Sequence, residues 1–130
     1  MTEGFSRGAG RIMLNKTLKE YQKRVKAFAT ERDWEQFHSP KNLASALIVE
    51  ASELLEIYQW EKSEETRKYK NEDQRKKVEA EVIDIFVYWL RICDELGVNV
   101  EQAFEKKFLE NQKKYPADLV RGSSKKYNEY

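Results

Sequence analysis

The sequence predicts an all-α fold, a four-helix bundle. Three observations carry that expectation: apolar residues recur at three- and four-residue steps in four segments, capping signals mark where those segments begin and end, and no segment alternates apolar and polar residues as a strand would. At 130 residues the chain is sized for one domain, and a helical domain this small gains readily from association, so an oligomer is expected.

The first helix carries Leu14, Leu18, Tyr21, Val25 and Phe28 on one face and Lys16, Lys19, Lys23 and Arg24 on the other, with Thr17 and Glu20 spaced as a capping box. After Ala29 the pattern breaks through Asp33 and Trp34. Ser39-Pro40 then supplies an N-cap and a first-turn residue for a second helix reaching about Trp60. Residues 61–71 are polar and charged without an apolar face, which reads as a loop or a short solvated turn. A third helix starts near Glu72, and from Val78 to Leu96 its apolar residues occupy nearly every side, as in a helix packed on several neighbours. Gly97 is placed to end it, Asn99 to cap a fourth helix from Val100 to about Lys114, and Tyr115-Pro116 to stop that one. Ahead of the first helix, MTEGFSRGAGRI is glycine-rich and lacks the apolar region of a signal peptide. Residues 1–12 are therefore expected to be a disordered tail, native or appended, and residues 13–130 the domain itself.

Charged residues make up 36% of the chain yet the formal net charge is +1, so no overall field steers it to polymeric nucleic acid. Cys93 is the only cysteine and sits in an apolar run, which excludes an intramolecular disulfide and fits an inert buried thiol in a reducing, cytoplasmic setting. The longest apolar stretch, Ile83 to Cys93, is interrupted by Asp84 and Arg91 and falls short of the roughly 18 residues a membrane span needs. No membrane partner is expected.

The chemistry concentrates in two acidic pairs. Glu50 and Glu53 lie three residues apart on the second helix, hence on one face, and Glu50 is in register with Leu43, Leu47, Leu54 and Ile57. The third helix repeats the spacing with Glu81 and Asp84 inside the otherwise apolar EVIDIFVYWLRIC. Burying ionised carboxylates near one another costs several kcal/mol even after relaxation, so a cation must compensate. Oxygen donors, with one histidine and one cysteine in the whole chain, suit Mg²⁺, or Mn²⁺, better than zinc. The plain alternative is that these are solvated carboxylates on surface helices. A di-iron bundle would need two Glu-x-x-His pairs, and Glu35 with His38, the sole histidine, supplies one.

The order Glu50-x-x-Glu53 followed by Glu81-x-x-Asp84 resembles the metal-binding motif of the MazG-like all-α nucleoside triphosphate pyrophosphohydrolases. The text around it, Arg32-Asp-Trp-Glu-Gln-Phe-His38, Ala46-Leu-Ile-Val-Glu50, Tyr58-Gln-Trp60, Lys113-Lys-Tyr-Pro-Ala117 and Arg121-Gly-Ser-Ser-Lys-Lys-Tyr127, is similar to the dCTP pyrophosphatase branch, from about Asn15 onward. The resemblance implies that Glu50, Glu53, Glu81 and Asp84 bind Mg²⁺, that Trp34, His38, Trp60 and Tyr88 enclose the base, and that Lys107 and Asn111 contact phosphates. Lys107, Asn111 and Lys114 share one helical face, and Arg121, Lys125 and Lys126 of the basic tail would close over the phosphates. Lys114 stands where family members often carry arginine, and lysine lacks the bidentate fork. Without the resemblance, Trp34 and Trp60 read equally well as core or interface aromatics, His38 as a loop histidine and the lysines as solvated.

The implied reaction is Mg²⁺-dependent hydrolysis at the α–β bridge of a nucleoside triphosphate, dCTP or a modified dCTP, to the monophosphate and pyrophosphate, a house-cleaning of the nucleotide pool. Glu50 or Glu53 would accept the proton of the attacking water. A homodimer or homotetramer is expected. Two alternatives stand beside it: the same chemistry on dUTP or another damaged nucleotide, and a non-catalytic helical module whose first helix pairs with a partner.

Overall fold

A computed structural model of the chain describes residues 17–125 and 127–129. The expected N-terminal tail, Leu14 and Lys16 of the first helix, and Lys126 lie outside the described residues. Within them the architecture is helical, without a strand. The four long helices are α1 (Leu18–Glu31), α2 (Pro40–Tyr58), α3 (Glu72–Leu96) and α4 (Val100–Lys114); a short α5 (Ala117–Val120) follows. No helix among the described residues is long and apolar enough to cross a membrane.

The local chemistry sets the ends. The Thr17 hydroxyl accepts the Glu20 backbone N–H, and the Glu20 carboxylate accepts the N–H of Thr17, the reciprocal pair that opens α1. Ser39 accepts the Asn42 N–H ahead of Pro40, and Asn99 accepts the Gln102 N–H at the start of α4. Gly97, at φ 63°, takes the left-handed conformation that stops α3. Two ends depart by two residues from the spacing argument: α1 continues past Ala29 to Glu31, and α2 stops at Tyr58 rather than Trp60.

The chain divides into two compact units, one ending at Leu96 and the other beginning at Gly97. In the first, α2 packs along α3, and α1 packs on α3. Leu43 and Leu90 are fully buried and, with Ala29, Val78 and Cys93, make up the apolar core. The α2 stripe runs as its spacing requires, with Leu47, Glu50, Leu54 and Ile57 half-buried beside Leu43. The third helix is less enclosed than its composition suggests, since Val82, Ile83 and Leu96 stay exposed on the single chain.

The connection between α2 and α3 contains a short 3-10 turn, Ser63–Arg67, but is not wholly solvated. The Glu61 side chain is buried; one of its oxygens accepts from Gln74 Nε2 at 2.9 Å and the other faces Lys70 Nζ at 3.6 Å. Gln74, itself buried, accepts the Lys70 N–H at 2.8 Å. These bonds tie the loop to the first turn of α3, and the polar text of residues 61–71 concealed them. In the second unit, α4 stacks Phe104 on Phe108 at 5.3 Å, the spacing of residues four apart.

Candidate functional site

Helix packing brings the two acidic pairs into one neighbourhood. Glu50 and Glu53 of α2 and Glu81 of α3 each offer an oxygen within 4.8 Å of the others. Asp84, one turn beyond Glu81, stands outside that trio, although its charge acts on Glu50. Glu50 Oε2 and Glu81 Oε2 are buried and have no hydrogen-bond partner among the described residues. With both groups ionised, each such oxygen is left unsatisfied at a cost of about 1–3 kcal/mol or more, which either a shared proton or a bound cation relieves.

Electrostatics point the same way. The Glu50 carboxyl is pushed up to about 7, first by its hydrogen-bonding approach to Glu81, then by burial, then by the Glu53 carboxylate and the charge of Asp84. Without a cation the cluster thus takes up a proton as pH falls through about 7, which relieves its repulsion. Oxygen-only donors of this kind fit a hard divalent ion.

Glu50 also lines a pocket of about 220 Å³, together with Asp84, Trp34, His38, Tyr88 and Arg91. Three of the four residues expected around a base therefore share one cavity with Glu50 and Asp84. Each is placed by a local device. Asp33 adopts φ 54° and closes α1 in a Schellman turn, in which the N–H of Trp34 bonds to the Ala29 carbonyl at 3.0 Å and that of Asp33 to Thr30 at 3.0 Å. The Trp34 ring then meets Phe28 edge-on at 5.7 Å. Tyr88 lies on α3 one turn after Asp84, and burial, followed by the charges of Glu50, Asp84 and Glu53, raises its pKa, so its hydroxyl keeps its proton. His38 sits immediately before the Ser39 N-cap of α2.

Trp60 lies just past the end of α2, is 90% exposed, and is not part of this pocket's lining. Lys107, Asn111 and Lys114 occupy α4, and Arg121 and Lys125 follow α5, all in the second unit. There Lys107 faces Glu110 at 3.9 Å. Cys93 is buried, which raises its thiol pKa, as expected of an unreactive core cysteine.

Arg91 escaped the sequence argument. It is 2% exposed, and its guanidinium spans Asp94 and Glu95, each at 2.8 Å, while Nε donates to His38 Nδ1 at 3.2 Å. A signal was present: an arginine inside an apolar run, with acids three and four residues later, can be buried as an internally paired ion.

Comparison with known proteins places these features in context. A model of the MazG-like family matches residues 46–130. The chain is 38% identical over 114 residues to bovine (Bos taurus) dCTP pyrophosphatase 1, covering 87% of this chain and 68% of that one. It is 37% identical to the human (Homo sapiens) dCTP pyrophosphatase 1, over 87% of this chain and 67% of that one. Among solved structures, a pyrophosphatase from Archaeoglobus fulgidus DSM 4304 is similar, with a TM-score of 0.69 and 36% identity over 75% of this chain and 91% of that one.

Proposed function

Since the chain belongs to the MazG-like family, we propose that it is a nucleoside triphosphate pyrophosphohydrolase that converts dCTP to dCMP and pyrophosphate. The observation that carries this reading is the double membership of Glu50, which belongs both to the carboxylate trio and to the aromatic pocket. A cation held by the trio and a base held by the rings would then be neighbours.

Glu50, Glu53 and Glu81, with Asp84 beside them, would hold Mg²⁺, with Mn²⁺ as the substitute. When bound, such an ion neutralises triphosphate charge and makes water more acidic. The chain's own groups do the rest. Trp34 and Tyr88 enclose the pyrimidine ring through stacking and apolar contact, and His38 adds a polar group at the same pocket. Water attacks a phosphorus of the α–β bridge, the bridging P–O bond breaks, and pyrophosphate leaves. Of the expected catalytic pair Glu50 and Glu53, Glu50 is the carboxylate that lines the pocket, and we assign to it acceptance of the water's proton. Trp60, Lys107, Asn111, Lys114, Arg121 and Lys125 complete the proposed substrate contacts, Trp60 for the base and the others for the phosphates. The apolar side chains exposed on α2 and α3 support a homodimer or homotetramer as the working form.

Pyrophosphate release from a panel of nucleoside triphosphates, with and without Mg²⁺, tests the proposal. Cytosine deoxynucleotides should be the best substrates, and turnover should vanish with chelator. A panel with no pyrophosphate release, or one led by dUTP, would refute the substrate assignment.

A further inference from the structure

The pocket holds one polar contact that the proposed chemistry does not use, between His38 and Arg91. They lie 53 residues apart in sequence, and both line the cavity. Arg91 is a buried cation whose two terminal nitrogens are taken by Asp94 and Glu95, leaving Nε–H directed at His38 Nδ1. A guanidinium has hydrogens to give and no lone pair to accept, so the ring nitrogen facing it must be the unprotonated one. In a neutral imidazole the proton then resides on Nε2. Burial and the Arg91 charge both disfavour the imidazolium, against weaker opposition from Glu95 and Glu35.

We propose that Arg91 is a positioning residue that holds His38 as the Nε2–H tautomer, so that the pocket presents a fixed hydrogen-bond donor to an acceptor on the pyrimidine edge. This rests on the pyrophosphohydrolase reading and adds to it a source of base selectivity. N3 of cytosine is an acceptor, whereas N3 of uracil and thymine carries a hydrogen. A donor that cannot switch tautomer, if set against N3 rather than against the O2 both bases share, therefore favours cytosine, because uracil would leave two donors opposed in a confined site. A freely tautomerising histidine would adapt to either edge and discriminate poorly. Lysine at position 91 would keep the charge for Asp94 and Glu95 but lacks the planar fork that serves three partners at once.

His38 is the sole histidine, so a two-bond ¹H–¹⁵N correlation spectrum of the nucleotide-free protein reads its tautomer without overlap. At mildly alkaline pH the wild type should give an unprotonated-type shift at Nδ1 and a protonated-type shift at Nε2. Arg91→Lys should move both toward the average of exchanging tautomers. In the assay, the same variant should lose roughly tenfold in kcat/KM for dCTP, the worth of one hydrogen bond, mainly through KM. It should lose much less for dUTP. A wild-type spectrum with Nδ1 protonated or with averaged shifts would overturn the proposal even if the variant failed to fold. So would an Arg91→Lys spectrum unchanged from wild type, or an equal loss for both nucleotides. If the shifts behave as stated but no pyrimidine triphosphate is hydrolysed, the proposed function fails and takes the base contact with it, while the tautomer assignment stands.

Discussion

At the scale of single residues, Glu50 carries the sharpest consequences. Its folded pKa, about 7, lies above its ordinary value of 4.5, so between those values the folded state binds more protons than the unfolded one. The associated stability is fully present below 4.5 and is lost as pH rises toward 7. Metal-free protein should therefore melt at a lower temperature near pH 7 than near pH 5, and Glu50→Gln should flatten that slope; calorimetry across the range decides it. Asp84→Asn removes a charge that raises the Glu50 pKa, so without Mg²⁺ it should melt at or above the wild-type temperature while hydrolysis falls by orders of magnitude. Mg²⁺ at a hundredfold excess over its dissociation constant should stabilise the wild type by about 2.7 kcal/mol and the mutant much less. Full activity in Asp84→Asn, with both proteins indifferent to Mg²⁺, would return these carboxylates to ordinary surface acids. Trp34, lining the pocket, should lose fluorescence when dCTP binds with Ca²⁺ in place of Mg²⁺. A Trp34→Phe protein that quenched as the wild type does would remove that ring from the base site.

Among the elements, the turn after α1 is the one that sets Trp34 in the pocket wall. Asp33 occupies a left-handed position usually given to glycine, and its carboxylate accepts from Gln36 Nε2 at 2.9 Å. Asp33→Val puts a β-branched residue where φ is positive and removes that bond. A loss of roughly 1–2 kcal/mol is expected from the backbone alone, read as a lower denaturation midpoint at unchanged slope. Because the same turn bonds Trp34 to the end of α1, KM for dCTP should rise in the variant as well. The α2–α3 connection illustrates the limit of composition. Glu61 reads as one more charge in a polar stretch, yet Gln74 and Lys70 enclose it. Hydrophobicity cannot forecast a carboxylate buried by its partners, since the one that donates to it, Gln74, lies on another element.

For the whole molecule, the apolar core of the described residues is small, while Ile48, Val49 and Leu55 of α2 and Val82 and Ile83 of α3 remain about half exposed or more. That much apolar surface along two adjacent helices is more than isolated side chains would account for, and association would cover it. Sedimentation at micromolar concentration should give a dimer or a tetramer, and Leu55→Arg should lower the mass. A wild-type monomer would count against the assembly.

Periodicity and capping were enough to locate the four long helices, because a helix is stabilised within itself and its ends are closed by residues three or four positions away. The two acidic pairs were legible for the same reason: a spacing of three places both members on one face whatever the helix packs against. Which members meet is decided by the packing of α2 on α3, and that packing gathers Glu50, Glu53 and Glu81 while leaving Asp84 at the edge. Packing likewise brings Trp34 and Tyr88 into the pocket beside Glu50 and leaves Trp60 in solvent, although both tryptophans read alike along the chain. The Arg91–His38 contact joins α3 to the turn before α2. Local spacing carries no record of such a pair, because its distance is set by the crossing of helices, a sum of many small contacts between residues remote in sequence.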